Sequence, residues 1–349
     1  MTLSALKIPL LILALVLIVL VPVDLTGFGI PWPGLKRYGT YILSLWLVTS
    51  IAAMGVNLIM GYAGQETLAQ AAFLGIGAYT TAILTKAGVP FAAAFLLSGA
   101  ASFVIGIGLG FPALRVQKHY LAFVTLAFTV FVWLVIRNEE WLTGGVSGIQ
   151  DIPRPSLLGI SLKPAVNYYW FVLTITAVLG FILWWILRSP WGRAFTALRE
   201  NAIRAESLGI DVRGYKLLAF AIGSAYGGFA GSLYAPLVEF IDPSPFALAP
   251  SLMYLLMVML GGMGTFVGPF IGAAIAVMLP EQLQIWQAKF EAAYPGLHLP
   301  SYLIVFAVVV MLMVALCPTG IVGLYERIFT RKRRPHADDK GPVLGEVKS

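Results

Sequence analysis

An all-α, polytopic membrane fold of about ten hydrophobic helices, some broken by glycine, follows from three features of the sequence. Hydrophobic residues make up 59% of the chain and charged residues only 11%, where a soluble domain carries roughly 25% charged residues. Apolar runs of the length a bilayer core demands, ~20 residues, recur from one end of the chain to the other. None of them alternates in polarity over the ~10-residue segments a membrane barrel needs, and helices are the remaining way to satisfy backbone groups in lipid.

The other global features mainly exclude. A net charge of +7 reads as basic loops and a basic tail on one side of a membrane rather than as nucleic-acid contacts. The single cysteine, Cys317, rules out an intrachain disulfide and reads as a small apolar filler. His119, His298 and His336 fall in three separate loops, so no metal-ligand spacing is present and no metal or cofactor is expected. No G-x-x-x-x-G-K-[ST] phosphate loop occurs, so ATP is not hydrolysed by that route and the chain does not read as an enzyme.

Taken in order, residues 9–23 form an apolar run behind Lys7 with no small-x-small cleavage site after it, which reads as an uncleaved anchor. A Pro/Gly turn region over 24–37 carries Trp32, and Tyr38 follows as a second interfacial aromatic. Residues 38–60 make the next span. Residues 61–79 (G-Y-A-G-Q-E-T-L-A-Q-A-A-F-L-G-I-G-A-Y) interrupt an apolar segment with glycines and set Gln65, Glu66, Thr67 and Gln70 beside the break. Two readings stand: a broken span lining a path, or a turn between ordinary spans with Thr67 as N-cap. Spans follow at 67–85, at 90–111, rich in Gly and Ala for close helix approach, and at 120–136. Residues 137–166 are the longest loop of the first half, and 167–187 cross back.

Beyond the polar stretch 188–216, residues 217–235 cross. Leu248 to Leu279 is too long for one ~30 Å core at ~1.5 Å per residue; Gly261, Gly262 and Gly264 break it into two short spans, or one full and one re-entrant. Residues 280–300 read as amphipathic, with Trp286 and Tyr294 as interface anchors, and 301–317 as the last span. The membrane domain spans 1–330, and 331–349 reads as a disordered basic tail.

The stretch 188–216 sets Arg188, Arg193, Arg199, Arg204, Arg213 and Lys216 against Glu200, Glu206 and Asp211. Ser189-Pro190 is a helix-start signal and Gly209 a helix-stop signal requiring φ > 0. Between them Phe195, Leu198, Ala202, Ala205 and Leu208 recur at helical spacing on one face, and Glu200 stands four residues before Arg204 in the favourable order. One charged helix with a narrow apolar seam is expected, either as a solvated connector or as a docking element for a soluble partner. Counting ten crossings from an inside N-terminus puts Arg115/Lys118, the 188–216 loop and Arg331–Arg334 on one side, as the positive-inside rule asks.

Four segments in this order, G-Y-A-G-Q (61–65), T-G-G-V-S-G-I (143–149), G-R-A-F-T-A-L-R-E-N-A-I-R-A-E-S-L-G-I (192–210) and G-G-M-G-T-F-V-G-P-F-I-G-A (261–273), resemble the permeases of branched-chain (hydrophobic) amino-acid ABC importers, specifically the M-type subunit. The resemblance covers about residues 40–325. It implies an inner-membrane permease that pairs with a homologous H-type permease, two cytoplasmic ATPases and a periplasmic substrate-binding protein. It implies further that 190–209 hold a cytoplasmic coupling helix resting on an ATPase, with Arg193, Glu200, Arg204, Ala205, Glu206 and Gly209 as contacts. The family commonly reads G-Q-x-S-L-G-H-A-A-F where this chain has Gly64 to Phe73. Here a carboxylate, Glu66, stands at an apolar position, Thr67 replaces Ser and Gln70 replaces His. With Gln65 these residues are the candidate substrate path, and the departures leave urea, short amides and aromatic acids open beside branched-chain amino acids.

Overall fold

The computed structural model describes residues 37–113, 118–157, 160–162, 164–293, 301–316 and 320–324. The apolar run at 9–23, Trp32, Arg115, Tyr294, His298, Cys317, His336 and the basic tail lie outside the described residues.

Among those residues the regular structure is helical apart from one hairpin of two-residue strands, β1 (Ser156–Leu157) with β2 (Ile160–Ser161). The helices are α1 (Arg37–Val56), continued by a π-helical turn over Asn57–Tyr62, then α2 (Gln70–Lys86), α3 (Phe91–Ala113), α4 (Lys118–Asn138) and the single turn α5 (Glu140–Thr143). There follow α6 (Ala165–Arg188), α7 (Pro190–Glu200), α8 (Ala202–Ser207), α9 (Val212–Val238), α10 (Leu248–Gly261), α11 (Gly268–Ala293) and α12 (Tyr302–Leu316). Six helical segments are long and apolar enough to cross a membrane: Tyr38–Tyr62, Phe91–Pro112, Leu121–Asn138, Ala165–Arg188, Val212–Val238 and the one that starts at Tyr302.

The core forms around α9, which packs on α1, α2 and α3. Small residues make this possible. A Cβ at Gly231 would fall inside the carbonyl of Leu74 on α2, and one at Gly77 inside the carbonyl of Gly228; van der Waals contact between backbones takes the place of interdigitated side chains. Hydroxyls close the remaining polar gaps: Thr81 Oγ1 donates to Ser232 Oγ at 2.6 Å, Tyr168 Oη to the Leu233 carbonyl at 2.6 Å and Tyr226 Oη to the Leu179 carbonyl at 2.7 Å. The outer helices carry the opposite composition. Leu96, Val104 and Phe111 on α3, Phe123 and Phe131 on α4, and Phe181 and Trp185 on α6 are exposed, as a lipid-facing shell requires.

Two expectations change. The helix expected to end near Leu279 runs through Pro280 to Ala293, because Leu279 and Leu283 join Leu260, Phe306 and Val310 in one apolar cluster and this packing outweighs the lost hydrogen bond at proline. The residue expected to cap α2, Thr67, is not its N-cap. Ala69 holds that position without a side-chain cap, and Thr67 Oγ1 instead accepts from the Ala69 amide at 3.3 Å.

Candidate functional site

The stretch 188–216 folds as two helices, not one. Ser189 caps α7, its hydroxyl accepting from the Trp191 amide at 3.1 Å with Pro190 in the first helical position. The break comes at Asn201, whose backbone is extended and whose Oδ1 accepts from the amides of Ile203 (3.1 Å) and Arg204 (3.0 Å), capping α8. Asp211 Oδ1 likewise caps α9 through the Arg213 and Gly214 amides, both at 3.1 Å. The Glu200–Arg204 pair expected on one helix is thus split between two. Replacing Asn201 with Ala is expected to cost about 1 kcal/mol of local stability, seen as faster hydrogen exchange in α8 with α7 unchanged.

The apolar seam divides. Phe195, Leu198 and Ala205 are buried against the chain itself, Phe195 standing edge-on to Tyr215 with ring centres 6.2 Å apart. Ala202 is half-buried. Leu208, expected on that seam, is instead 80% exposed, as is Ile203; the turn at Asn201 rotates α8 so that these two point outward. Around them Arg193, Glu200, Arg204 and Glu206 are exposed, while Ala205 faces inward. Gly209 has φ +82° with open space around it, so the helix stop needs φ > 0 as expected and the requirement is purely one of backbone.

Arg199, at the end of α7, reaches into the membrane domain. Its Nη1 donates to the carbonyl of Gly61 in the π-helical turn. A Cβ at Gly264 would collide with that same Nη1, and one at Gly64 would press on the Arg199 backbone and stem. The two glycine-rich breaks are in turn clasped together by Asn57, whose Nδ2 donates to the Thr265 carbonyl (2.8 Å) and whose Oδ1 accepts from the Gly264 amide (2.9 Å). The charged loop therefore bears directly on both interruptions. Sequence reasoning missed Arg199 as a site residue because its partner is a backbone carbonyl 138 residues away, which leaves no pattern to read.

Residues 63–69 are non-helical and run from this junction into the helix bundle. At Leu68 the backbone is satisfied from neighbouring helices: the amide donates to Thr125 Oγ1 at 3.0 Å, and the carbonyl accepts from Thr129 Oγ1 at 2.7 Å and from Ser251 Oγ. The four path candidates do not converge. Gln65 is buried with Nε2 donating to the Lys216 carbonyl at 3.0 Å, Gln70 is buried with Nε2 donating to the Ala52 carbonyl at 2.8 Å, and Thr67 is buried, whereas Glu66 is exposed. The Oε1 atoms of Gln65 and Gln70 are buried without a hydrogen-bond partner, a cost tolerated where a polar solute or water visits. Among the described residues no group of three or more His, Cys, Asp or Glu is placed to hold a metal ion.

Residues 39–316 match the family described as branched-chain amino acid transport system / permease component. The chain is 34% identical over 287 residues to the high-affinity branched-chain amino acid transport system permease protein LivM of Escherichia coli, covering 75% of this chain and 68% of the relative. To the LivM of Salmonella typhimurium it is 34% identical over 281 residues, covering 73% and 66%. A more distant relative is the autoinducer 2 import system permease protein LsrC of Klebsiella pneumoniae, 25% identical over 197 residues and covering 55% and 53%. No solved structure is matched.

Proposed function

Because the chain belongs to the family of branched-chain amino acid transport permease components, we propose that it is the membrane-embedded subunit of an ATP-driven importer for hydrophobic amino acids or similar small organic solutes. In this reading α7 and α8 are the coupling element, α8 offers Ile203 and Leu208 to a groove on a cytoplasmic ATPase, and the charged side chains of Arg193, Glu200, Arg204 and Glu206 form the rim. An apolar pair inside a charged rim is a workable interface anatomy. The observation that carries the reading is the contact of Arg199 with Gly61, which gives a push on the loop a direct route to both helix breaks. Ala205 contributes by letting α8 lie close to the chain, and Gly209 by ending it.

The remaining assembly is a homologous H-type permease, a second ATPase and a periplasmic binding protein, in the bacterial inner membrane with both termini cytoplasmic. This orientation needs ten crossings, which in this reading are the six long helices, α2, α10, α11 and the apolar run expected from the sequence at 9–23. Gln65, Thr67 and Gln70 line the inner part of the path, and Glu66 stands at its edge.

The test is affinity purification of the tagged chain in mild detergent with an ATPase assay on the eluate. An ATPase and a second permease are expected to co-purify. Exchanging Ile203 and Leu208 together for Glu is expected to reduce ATPase recovery at least about tenfold, the factor that ~1.4 kcal/mol of lost interface energy gives, with the second permease retained. Undiminished ATPase recovery would remove α8 from the interface, and ATP-independent uptake that collapses with an ion gradient would replace the importer reading with a secondary transporter.

A further inference from the structure

The T-G-G-V-S-G-I motif at 143–149 lies at the other end of the bundle from the charged loop and has no part in the reading above. α1, α6 and α9 all run from one end to the other. Tyr62, Arg188 and Val212 stand near α7 and α8, while Tyr38, Ala165 and Val238 stand ~36 Å away, the length of α6 at ~1.5 Å per residue. At this far end the motif is stapled to the chain after α9. Ile149 and Ile241 exchange amide–carbonyl hydrogen bonds at 2.9 and 3.1 Å, and the Ile152 amide donates to the Glu239 carbonyl at 3.1 Å.

The staple delivers Arg154 to Glu239, with Nε 2.6 Å from Oε1. The Arg154 guanidinium also lies over the Tyr168 ring, 5.8 Å from its centre. Beside this pair opens a cavity of about 410 Å³ lined by Tyr38, Tyr41, Arg154, Tyr168, Leu237 and Glu239, among others. That volume is within the usual ~300–1,000 Å³ range of small-molecule sites. Glu239 is the C-cap of α9 and holds φ +64°, a conformation for which glycine is the usual residue. A carboxylate kept at that backbone cost is a pointer to function.

We infer that this cavity is a second substrate site, a receiving site for the zwitterionic head of an α-amino acid, with Arg154 taking the carboxylate and Glu239 the ammonium. The inference rests on the importer reading and adds to it where on this subunit the solute first lands. The chemistry matches at both poles. A guanidinium presents five donors in a planar fork suited to a carboxylate, and a carboxylate accepts at about four positions. The Glu239 side chain is 51% exposed, open to a second partner. Leu237 and the tyrosine rings leave an apolar wall for the side chain of the solute. A purely architectural role for the ion pair is redundant here, because three backbone hydrogen bonds already hold the loop, and a part-buried ion pair adds little net stability.

The test uses the assembled transporter in nanodiscs without its binding protein. Binding of radiolabelled leucine is measured in competition with 3-methylbutylamine, which lacks the carboxylate, and 4-methylpentanoate, which lacks the amine. Saturable leucine binding is expected, with each singly charged analogue at least about tenfold weaker, as loss of one charge-assisted hydrogen bond implies. Glu239→Gln is expected to bind leucine and 4-methylpentanoate equally. Unchanged discrimination in Glu239→Gln overturns the site, and so does wild-type leucine binding restored by the charge exchange Arg154→Glu with Glu239→Arg, which preserves a bridge but reverses the poles. Absent leucine binding beside intact ATP-driven leucine uptake also overturns the site and leaves the importer reading standing; absent ATP-driven uptake of any solute overturns the importer reading first.

Discussion

Arg199→Met is expected to lower ATP-driven uptake by more than about tenfold while ATPase binding and the folded state persist. Met keeps an unbranched side chain of similar reach against Gly64, and the residue is exposed, so little packing is lost. What disappears is the charge-assisted hydrogen bond to the Gly61 carbonyl. Such a bond contributes ~1.5–3 kcal/mol, and ~1.4 kcal/mol is already tenfold in an equilibrium. The consequence falls on transmission, since the same guanidinium fills the space against Gly264 and Asn57 clasps the two breaks behind it. Lysine is expected to restore only part of the rate, because a point charge on a flexible stem does not reproduce the planar fork. Proteoliposomes assayed in parallel for uptake and ATP hydrolysis give the comparison: hydrolysis retained and uptake lost is the expected signature, and normal uptake in Arg199→Met would show that the contact transmits nothing.

Gly231→Val is expected to prevent accumulation of folded protein altogether. Its Cβ would fall inside the Leu74 carbonyl and beside the Ala78 amide of α2. Both obstacles are backbone, so no rotamer change relieves them. Overpacking of a core side chain costs ~1–3 kcal/mol; a backbone collision between two central helices exceeds that, because α9 would have to separate from α2 along its length and give up the Thr81–Ser232 hydrogen bond with it. Ser at the same position, smaller but still bearing a Cβ, is expected to be defective as well. Size-exclusion chromatography of a fluorescent fusion in detergent measures this, and a monodisperse wild-type-like peak for Gly231→Val would contradict the packing described for α9.

How much of this was legible in the sequence depended on how local the physics was. The start of α7 was legible at Ser189-Pro190 and the end of α8 at Gly209, because capping and positive φ are decided within a few residues. The break at Asn201 was also local. Asparagine is a strong N-cap residue, and an N-cap signal inside an apparent helix is a signal to split it. The apolar periodicity of Phe195, Leu198, Ala202, Ala205 and Leu208 masked it, and the structure puts Leu208 outside. The helix through Pro280 was not legible, since what sustains it is packing on Phe306 and Val310. The Arg199–Gly61 and Arg154–Glu239 contacts were illegible for the same reason: each joins residues far apart in the chain, and neither leaves a spacing to detect. The path candidates 65–70 were visible as polar residues beside glycines, but which of them faces inward was settled only by the neighbours of α2.

The hydroxyls around Leu68 have a kinetic consequence. Thr129 Oγ1 has one proton and two acceptors within reach, the Leu68 carbonyl at 2.7 Å and the Thr125 carbonyl of its own helix at 2.9 Å; Thr125 Oγ1 instead accepts from the Leu68 amide at 3.0 Å while donating to the Ala122 carbonyl at 3.0 Å. When the 63–69 segment shifts, both hydroxyls keep an acceptor on their own helix, Thr129 by a rotation about its C–O bond and Thr125 without one, so the cost of the movement falls on the backbone amide and carbonyl of Leu68. The helix side of these latches re-closes after a small displacement, and the barrier to moving this non-helical stretch of the bundle is set by the two backbone groups of Leu68.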